Sequence, residues 1–300
     1  MKNYYVELNH RGLLAISGKD SELFLQGQLT CDLNALANLN SCPGCLCDNK
    51  GRVIASFTVW KLNDVFYLEM EAGLADIAEQ HLKKYSVFYK SEIINASDSF
   101  IRLGLLGTDV REVLKTTFPD FPVTANQICQ AEDQFLRLLD PQTQRYELWI
   151  GSKAMTAKDE LTQVLTAGTL QDWQLLDQNM GLYRLQAEDS GLYTPEELNY
   201  DLLGHISFTK GCYTGQEIVA RMHYRGKAKK RLYRLHINSE HTPQKHMKIN
   251  TIEHKTVGEI IAFIKLASNE YHVLAIANDL INGALSIEQL EDAKIRVIFQ

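Results

Sequence analysis

The apolar pattern of this chain changes period near residue 231, and that change limits the architectures open to it. From Arg231 onward, Leu232 to Ile237, Val257 to Leu266, Tyr271 to Ala277 and Ile295 to Phe299 read as strands with little helix between them. A small β-barrel over 231–300 follows. Before that point the two periods alternate. Asp20 stands as an N-cap for a short helix, Ser21 to Leu29, whose Leu23, Phe24, Leu25 and Leu29 form an apolar stripe. Val53 to Trp60 alternates and turns at Asn63-Asp64 into Val65 to Met70, which predicts a hairpin. A helix over Leu74 to Tyr85 and a strand over Val87 to Ile94 come next. The order recurs in a strand at Ile101 to Leu106, a helix at Val110 to Phe118, and a hairpin of Phe135 to Leu139 with Tyr146 to Ile150 about Asp140-Pro141. Leu161 to Leu165 falls in another short helix. Hairpins between helices, rather than strict βαβ repetition, predict split-βαβ sheets with helices on one face, an α+β fold.

Three hundred residues exceed the usual single core, so two or three compact units are expected. A net charge of -6 argues against a surface built to neutralise nucleic-acid phosphates, and no direct nucleic-acid binding is expected. Neither a secretory leader nor an apolar run long enough for a membrane span is read in it, so the expectation is a cytoplasmic, soluble protein; a monomer is expected as well. In a reducing compartment the six cysteines, at 31, 42, 45, 47, 129 and 212, are expected as thiols, metal ligands or redox groups rather than as a disulfide framework.

The segment Lys210-Gly211-Cys212-Tyr213-Thr214-Gly215-Gln216-Glu217 carries the densest chemistry. Ile206-Ser207-Phe208 reads as a short strand, Lys210-Gly211 as a turn, and Thr214 to Met222 as a helix with Thr214 as its cap. That order places Cys212 ahead of a helix N-terminus and beside the Lys210 cation, both of which favour a thiolate. Gly211 and Gly215 would let backbone N–H groups approach an anion closely. A buried, inert cysteine in a tight turn accounts for the same residues. Local chemistry alone names no substrate.

The run from Gly204 to Arg221, with this motif at its centre, resembles the signature of the YgfZ family of folate-binding proteins, in the superfamily of the glycine-cleavage T-protein, an aminomethyltransferase. Phe24-Leu25-Gln26-Gly27-Gln28-Leu29-Thr30, Cys47-Asp48-Asn49-Lys50-Gly51-Arg52, Lys83-Lys84-Tyr85-Ser86-Val87-Phe88 and Tyr224-Arg225-Gly226-Lys227 are similar to further family blocks, in the family's order. The resemblance implies two interlaced split-βαβ, ferredoxin-like N-terminal domains and a C-terminal β-barrel around a folate site. Residues 1–230 would form the T-protein-like region, from subdomains of roughly 1–50 with 151–230 and of 51–150, and residues 231–300 the barrel. It also implies tetrahydrofolate or a one-carbon derivative as ligand, Cys212 as functional thiol with Lys210 beside it, and a role in maintaining iron-sulfur enzymes, including those that modify tRNA. Its partners would be iron-sulfur enzymes or assembly proteins.

Folate needs an aromatic surface for the pterin and cations for its carboxylates. Trp173 falls where the resemblance places one folate-flanking tryptophan, and Arg11 stands where it places the other. Arginine stacks on rings through its guanidinium plane. Gly211, Tyr213, Gly215, Gln216, Glu217 and Arg221 complete the expected folate contacts. The basic run Arg221, Arg225, Lys227, Lys229, Lys230 and Arg231 reads as a solvated face, as a landing site for a polyglutamate tail or an acidic client, or, third, as an RNA patch. Cys42-Pro43-Gly44-Cys45-Leu46-Cys47 has chelating spacing without a fourth ligand nearby, so no stably bound metal is expected. Two other functions fit the sequence: a folate-dependent one-carbon transferase, for which Asp48 is the nominated carboxylate, and a protein-protein adaptor with weak or no folate binding.

Overall fold

The computed structural model describes residues 3–154, 156–226, 228–278 and 284–298. Strands β1 (Tyr4–Glu7) and β2 (Arg11–Ser17) are consecutive in the chain yet belong to different sheets. After β2 come α1 (Ser21–Gln26), β3 (Ser41–Cys47), β4 (Val53–Leu62), β5 (Val65–Glu71), α2 (Ala72–Ser86) and β6 (Glu92–Asn95). These strands form a five-stranded sheet ordered β3-β4-β5-β2-β6. The chain continues through β7 (Phe100–Leu106), α3 (Asp109–Leu114), β8 (Ile128–Ala131), β9 (Gln134–Asp140), β10 (Arg145–Gly151), α4 (Thr156–Val164), β11 (Thr166–Ala167) and α5 (Leu170–Asn179). Here the sheet order is β11-β1-β7-β10-β9-β8, so β1 laces the N-terminus into the second sheet. The chain between residues 51 and 150 is therefore divided: β4 to β6 pair with β2 and β3, whereas β7 to β10 assemble with β1. That differs from the expected subdomain of 51–150.

After α5 a long, largely irregular segment runs to α6 (Gln216–Arg225). The remaining strands, β12 (Arg231–Asn238), β13 (Lys248–Thr251), β14 (Thr256–Ala267), β15 (Glu270–Ala277), β16 (Leu285–Ile287) and β17 (Lys294–Ile298), form a curled sheet ordered β16-β13-β14-β15-β12-β17. It is a half-barrel, with β16 and β17 at its edges. The short β13 and β16 were absent from the sequence expectation; Phe299, expected at the end of the last strand, lies outside the described residues.

The α+β architecture follows from where the apolar stripes meet. Leu74, Ala75, Ala78 and Leu82 of α2 are fully buried against the first sheet, and Val110 and Leu114 of α3 and Leu161 of α4 pack on the second. Each sheet's other face turns to its neighbour, where Leu13 and Trp60 meet Phe135 and Trp149. The hairpins fall as expected, and Asn63 and Asp64 take the positive φ values of 48° and 64° that a tight two-residue connection needs.

Several local expectations are corrected. Asp20 does not cap α1; its carboxylate accepts from the backbone N–H of Lys90 at 2.8 Å, and the helix ends at Gln26. That same bond, with Tyr89 N–H donating to the Ser86 carbonyl, turns the chain at 87–91, so only Glu92–Asn95 of the expected strand forms and Phe88 is 90% exposed. The helix begun at Val110 ends at Leu114 rather than Phe118. Ile206-Ser207-Phe208 is not a strand, although Ser207 N–H donates to the Thr30 carbonyl.

Candidate functional site

Charged residues face one another where the first two sheets meet. Arg11 opens β2 and is the register partner of Glu71 at the end of β5; Arg137 of β9 is the partner of Glu147 on β10. Strand alternation sends Phe66, Leu68 and Met70 into the first core and turns Glu69 and Glu71 toward the second sheet. There Arg11 donates to Glu71 at 2.5 Å and pairs with Glu69, while Arg137 donates to Glu69 at 3.0 Å and to Glu147. Glu147 is 1% exposed. Burial alone would raise its pKa, but the Arg137 and Arg11 guanidiniums outweigh that and hold it at about 2.

Helix α5 adds a second charged group. A capping box between Thr169 and Asp172 fixes its first turn. One turn apart on its inner face stand Trp173 and Asp177. Asp177 accepts from Arg145 at 2.7 Å and from Arg184 Nε at 2.5 Å. Burial opposes ionisation of Asp177, and the two guanidiniums overcome it, holding the carboxyl well below the usual carboxylate range.

Arg11, Glu71, Arg145, Asp177, Arg184 and His205 line a cavity of about 270 Å³ whose remaining wall includes Phe57, Met70, Leu182 and Leu203. A second cavity of about 270 Å³ shares Glu71, Asp177, Leu182 and Arg184 with the first and reaches Ile261, Phe263 and Leu274 of the curled sheet. All three sheets thus converge on one polar centre. Arg145 Nε and His205 Nδ1 have no hydrogen-bond partner among the described residues. His205 stacks on Tyr200 at 4.3 Å, and burial lowers its pKa to about 3. Carboxylates, guanidiniums and a neutral imidazole within apolar walls suit a flat heterocycle with both donor and acceptor edges.

Of the residues nominated from sequence for folate, Arg11 alone lines these cavities. Trp173 is 1% exposed and stands behind the wall. Arg145 lies over its ring at 4.0 Å, and a Cβ on Gly104 would come within 2.9 Å of the indole, so both pack on it. Its indole packs against Arg145 and lines neither cavity.

The motif loop is a separate place. Lys210 is buried, and its ammonium donates to the carbonyls of Gln26 (2.9 Å), Leu29 (2.7 Å) and Cys31 (2.7 Å). Its charge thus clamps the loop after α1, and burial lowers its pKa. Thr214 does not cap α6: its hydroxyl donates to Gln28 Oε1 at 3.2 Å, and Gly215, with φ of 83°, holds the N-cap position. Tyr213 is buried, with the Lys210 ammonium 5.4 Å from its ring centroid. This packing leaves Gly211 and Cys212 exposed, ahead of α6 by the turn Tyr213-Thr214-Gly215. Gln216 opens α6, and Glu217 and Arg221 flank an open surface groove of about 540 Å³ with Tyr224 and Arg225. Arg231 is engaged by Asp201 and the Glu196 carbonyl; Lys227 lies outside the described residues.

Among the described residues no group of three His, Cys, Asp or Glu side chains is placed to hold a metal ion, and no helix is long and apolar enough to cross a membrane. Sequence reasoning missed Glu71, Arg145, Asp177, Arg184 and His205. The signal for Glu69, Glu71, Arg137, Arg145 and Glu147 was available: they are charges within alternating strands, on faces that a second sheet covers.

Residues 4–139 match the GCVT N-terminal domain family. The chain is 33% identical over 279 residues to the tRNA-modifying protein YgfZ of Hamiltonella defensa subsp. Acyrthosiphon pisum, a match that takes in 90% of this chain and 82% of that protein. It is 32% identical over 241 residues to the protein of the same name from Colwellia psychrerythraea, covering 80% and 73% of the two chains. With that of Pectobacterium atrosepticum it shares 28% identity over 299 residues, covering 98% and 90%. In fold it is similar to the glycine cleavage system aminomethyltransferase T of Bartonella henselae, with a TM-score of 0.83 over 100% of this chain and 85% of that one at 15% identity.

Proposed function

Because this chain belongs to the family of tRNA-modifying YgfZ proteins, we propose that it binds tetrahydrofolate or a one-carbon derivative in the central cavity and acts as an accessory protein to iron-sulfur enzymes, those that modify tRNA among them. The observation that carries the folate reading is the pairing of Asp177 and Glu71 with Arg11, Arg145 and Arg184 within an apolar wall. A reduced pterin offers amino and ring N–H donors to carboxylates and a carbonyl acceptor to guanidiniums, while its ring faces favour Phe57, Met70 and Leu182. The unpartnered Arg145 Nε and His205 Nδ1 supply a further donor and a further polar contact. Calorimetric titration with tetrahydrofolate is expected to give saturable heat. No heat at millimolar ligand would leave the adaptor reading in its place.

Cys212 serves as the functional thiol in this reading, because the clamp of Lys210 and the packing of Tyr213 hold it outward where a partner protein reaches it. A Cys212→Ala variant, supplied to cells lacking the native protein, is expected to leave iron-sulfur enzyme activity and tRNA thiomethylation impaired. Full restoration would remove the thiol from the mechanism.

One-carbon transfer is less well supported by the geometry. Asp48 accepts from the backbone N–H groups of Lys50 and Arg52, each at 2.8 Å, which commits it to its own turn, and it lines neither central cavity. Asp177, which does line them, is held ionised by two arginines and is suited to binding rather than to carrying a proton.

A further inference from the structure

Four of the six cysteines gather beneath the motif loop, and two of them differ from the rest. Cys42 lies on β3 and is half-buried, whereas Cys31, just past the loop that Lys210 clamps, is 3% exposed. The two thiols are neighbours, each the largest influence on the other's ionisation. Gly44, on the same face of β3 as Cys42, makes room for the pair, since a Cβ there would come within 2.7 Å of Cys31 Sγ. Cys45 and Cys47 are fully buried on that strand, and Cys129 is buried in the second sheet.

We propose that Cys31 and Cys42 are a redox-active thiol pair that closes into an intrachain disulfide when a small-molecule disulfide such as glutathione disulfide supplies the oxidant. Cys42 is the attacking thiol because solvent reaches it and its thiolate is favoured. The neighbouring Cys31 thiol lowers its pKa first, burial opposes, and the Lys210 cation lowers it further. Cys31 keeps its proton, its pKa raised by the neighbouring Cys42 and by burial. In the first step the Cys42 thiolate attacks one sulfur of glutathione disulfide; that S–S bond breaks, a glutathione thiolate leaves, and a mixed disulfide forms on Cys42. In the second, Cys31 loses its proton and attacks Cys42 Sγ, expelling the second glutathione thiolate. The chain gives up two electrons and two protons, and the oxidant becomes two glutathione thiols. The bridge would join the loop after α1 to β3 directly under Lys210, whose ammonium donates to the Cys31 carbonyl. This inference does not depend on folate binding.

The test treats the native full-length chain with excess glutathione disulfide, alkylates the remaining thiols and maps peptides by mass spectrometry. A peptide pair linking Cys31 to Cys42, lighter by two hydrogens and lost on reduction with dithiothreitol, is expected. Cys31→Ser should retain one glutathione on Cys42, whereas Cys42→Ser should leave Cys31 unmodified. Recovery of both residues as alkylated thiols overturns the proposal. So does a bridge from Cys42 to Cys45 or Cys212, or a mixed disulfide that persists on Cys42 in the unmutated chain.

Discussion

The guanidinium carbon of Arg145 sits 4.0 Å from the centroid of the Trp173 ring, and the same arginine donates to the Trp173 carbonyl at 3.2 Å. The aromatic residue therefore acts on the central cavity through a cation. A desolvated contact of this kind contributes about 2 kcal/mol. It also fixes the direction in which Arg145 meets Asp177.

Replacing Trp173 with Ala should lower stability by about 3–5 kcal/mol through the cavity it leaves. It should also weaken tetrahydrofolate roughly tenfold, which corresponds to about 1.4 kcal/mol, as Arg145 loses its seat. Trp173→Phe keeps a ring under the guanidinium and should retain most of the affinity. Calorimetry on the two variants decides: equal losses would mean that the indole itself contacts the ligand.

Asp177 balances two guanidiniums, so Asp177→Asn leaves Arg145 and Arg184 without their shared counter-charge. Breaking a buried pair from one side costs about 3–5 kcal/mol. Urea denaturation should show that loss, and ligand heat should vanish at concentrations that saturate the native chain. A double variant, Asp177→Asn with Arg145→Met, should recover part of the stability without the binding. If the double variant is no more stable than the single one, the uncompensated charge is not the cause.

Strand periodicity made most of the fold legible, because a face that must be buried leaves a period of two in the sequence: β4, β5, β9, β10 and the long strands of the curled sheet all stand where Val53 to Ile295 place them. Termini of short helices were less legible, since Asp20 and Thr214 have the chemistry of caps but bond to Lys90 and Gln28 instead, partners distant in sequence. The same reason hid strand β1 and its pairing with the second sheet from the local pattern, although the family resemblance implied interlaced domains. At the site, the motif was conspicuous and its residues do cohere, but around a clamp on the loop after α1. The cavity draws on Arg11, Glu71, Arg145, Asp177 and Arg184, single charges spread over three strands, one helix and the irregular segment after it, whose convergence exists only in three dimensions.

Gly215 tests whether the motif glycines serve packing. Its φ is 83°, and a Cβ would lie 2.5 Å from the Asp48 carbonyl oxygen, a backbone atom that cannot rotate aside. Gly215→Ala should cost about 1–3 kcal/mol from the left-handed conformation alone, and more from the contact. Hydrogen exchange should quicken at Thr214, whose N–H donates to the Gly27 carbonyl, while the central cavity keeps its affinity for tetrahydrofolate. Loss of affinity with unchanged exchange would place the glycine in the ligand site.

His205 makes stability depend on acid. Its pKa is near 6.5 in an unfolded chain and about 3 in the folded one, where burial disfavours the imidazolium. Between those values the unfolded state binds a proton that the folded state refuses, so stability falls as pH drops through this window. The slope reaches about 1.4 kcal/mol per pH unit for one such group. His272, its pKa lowered by burial to about 4, acts in the same direction. Glu147 joins below the ordinary glutamate range: its folded pKa of about 2 contributes stability that is complete above about 4.5 and is lost as pH falls toward 2. Urea denaturation from pH 7 to pH 5, above the Glu147 window, should therefore show stability declining with acid, and His205→Gln should make that decline shallower by up to about 1.4 kcal/mol per pH unit. Below pH 4.5 the variant and the native chain should both steepen as Glu147 protonates. An unchanged slope between pH 7 and pH 5 in His205→Gln would mean that the folded protein admits the imidazolium, and that the cavity wall is wetter than its packing implies.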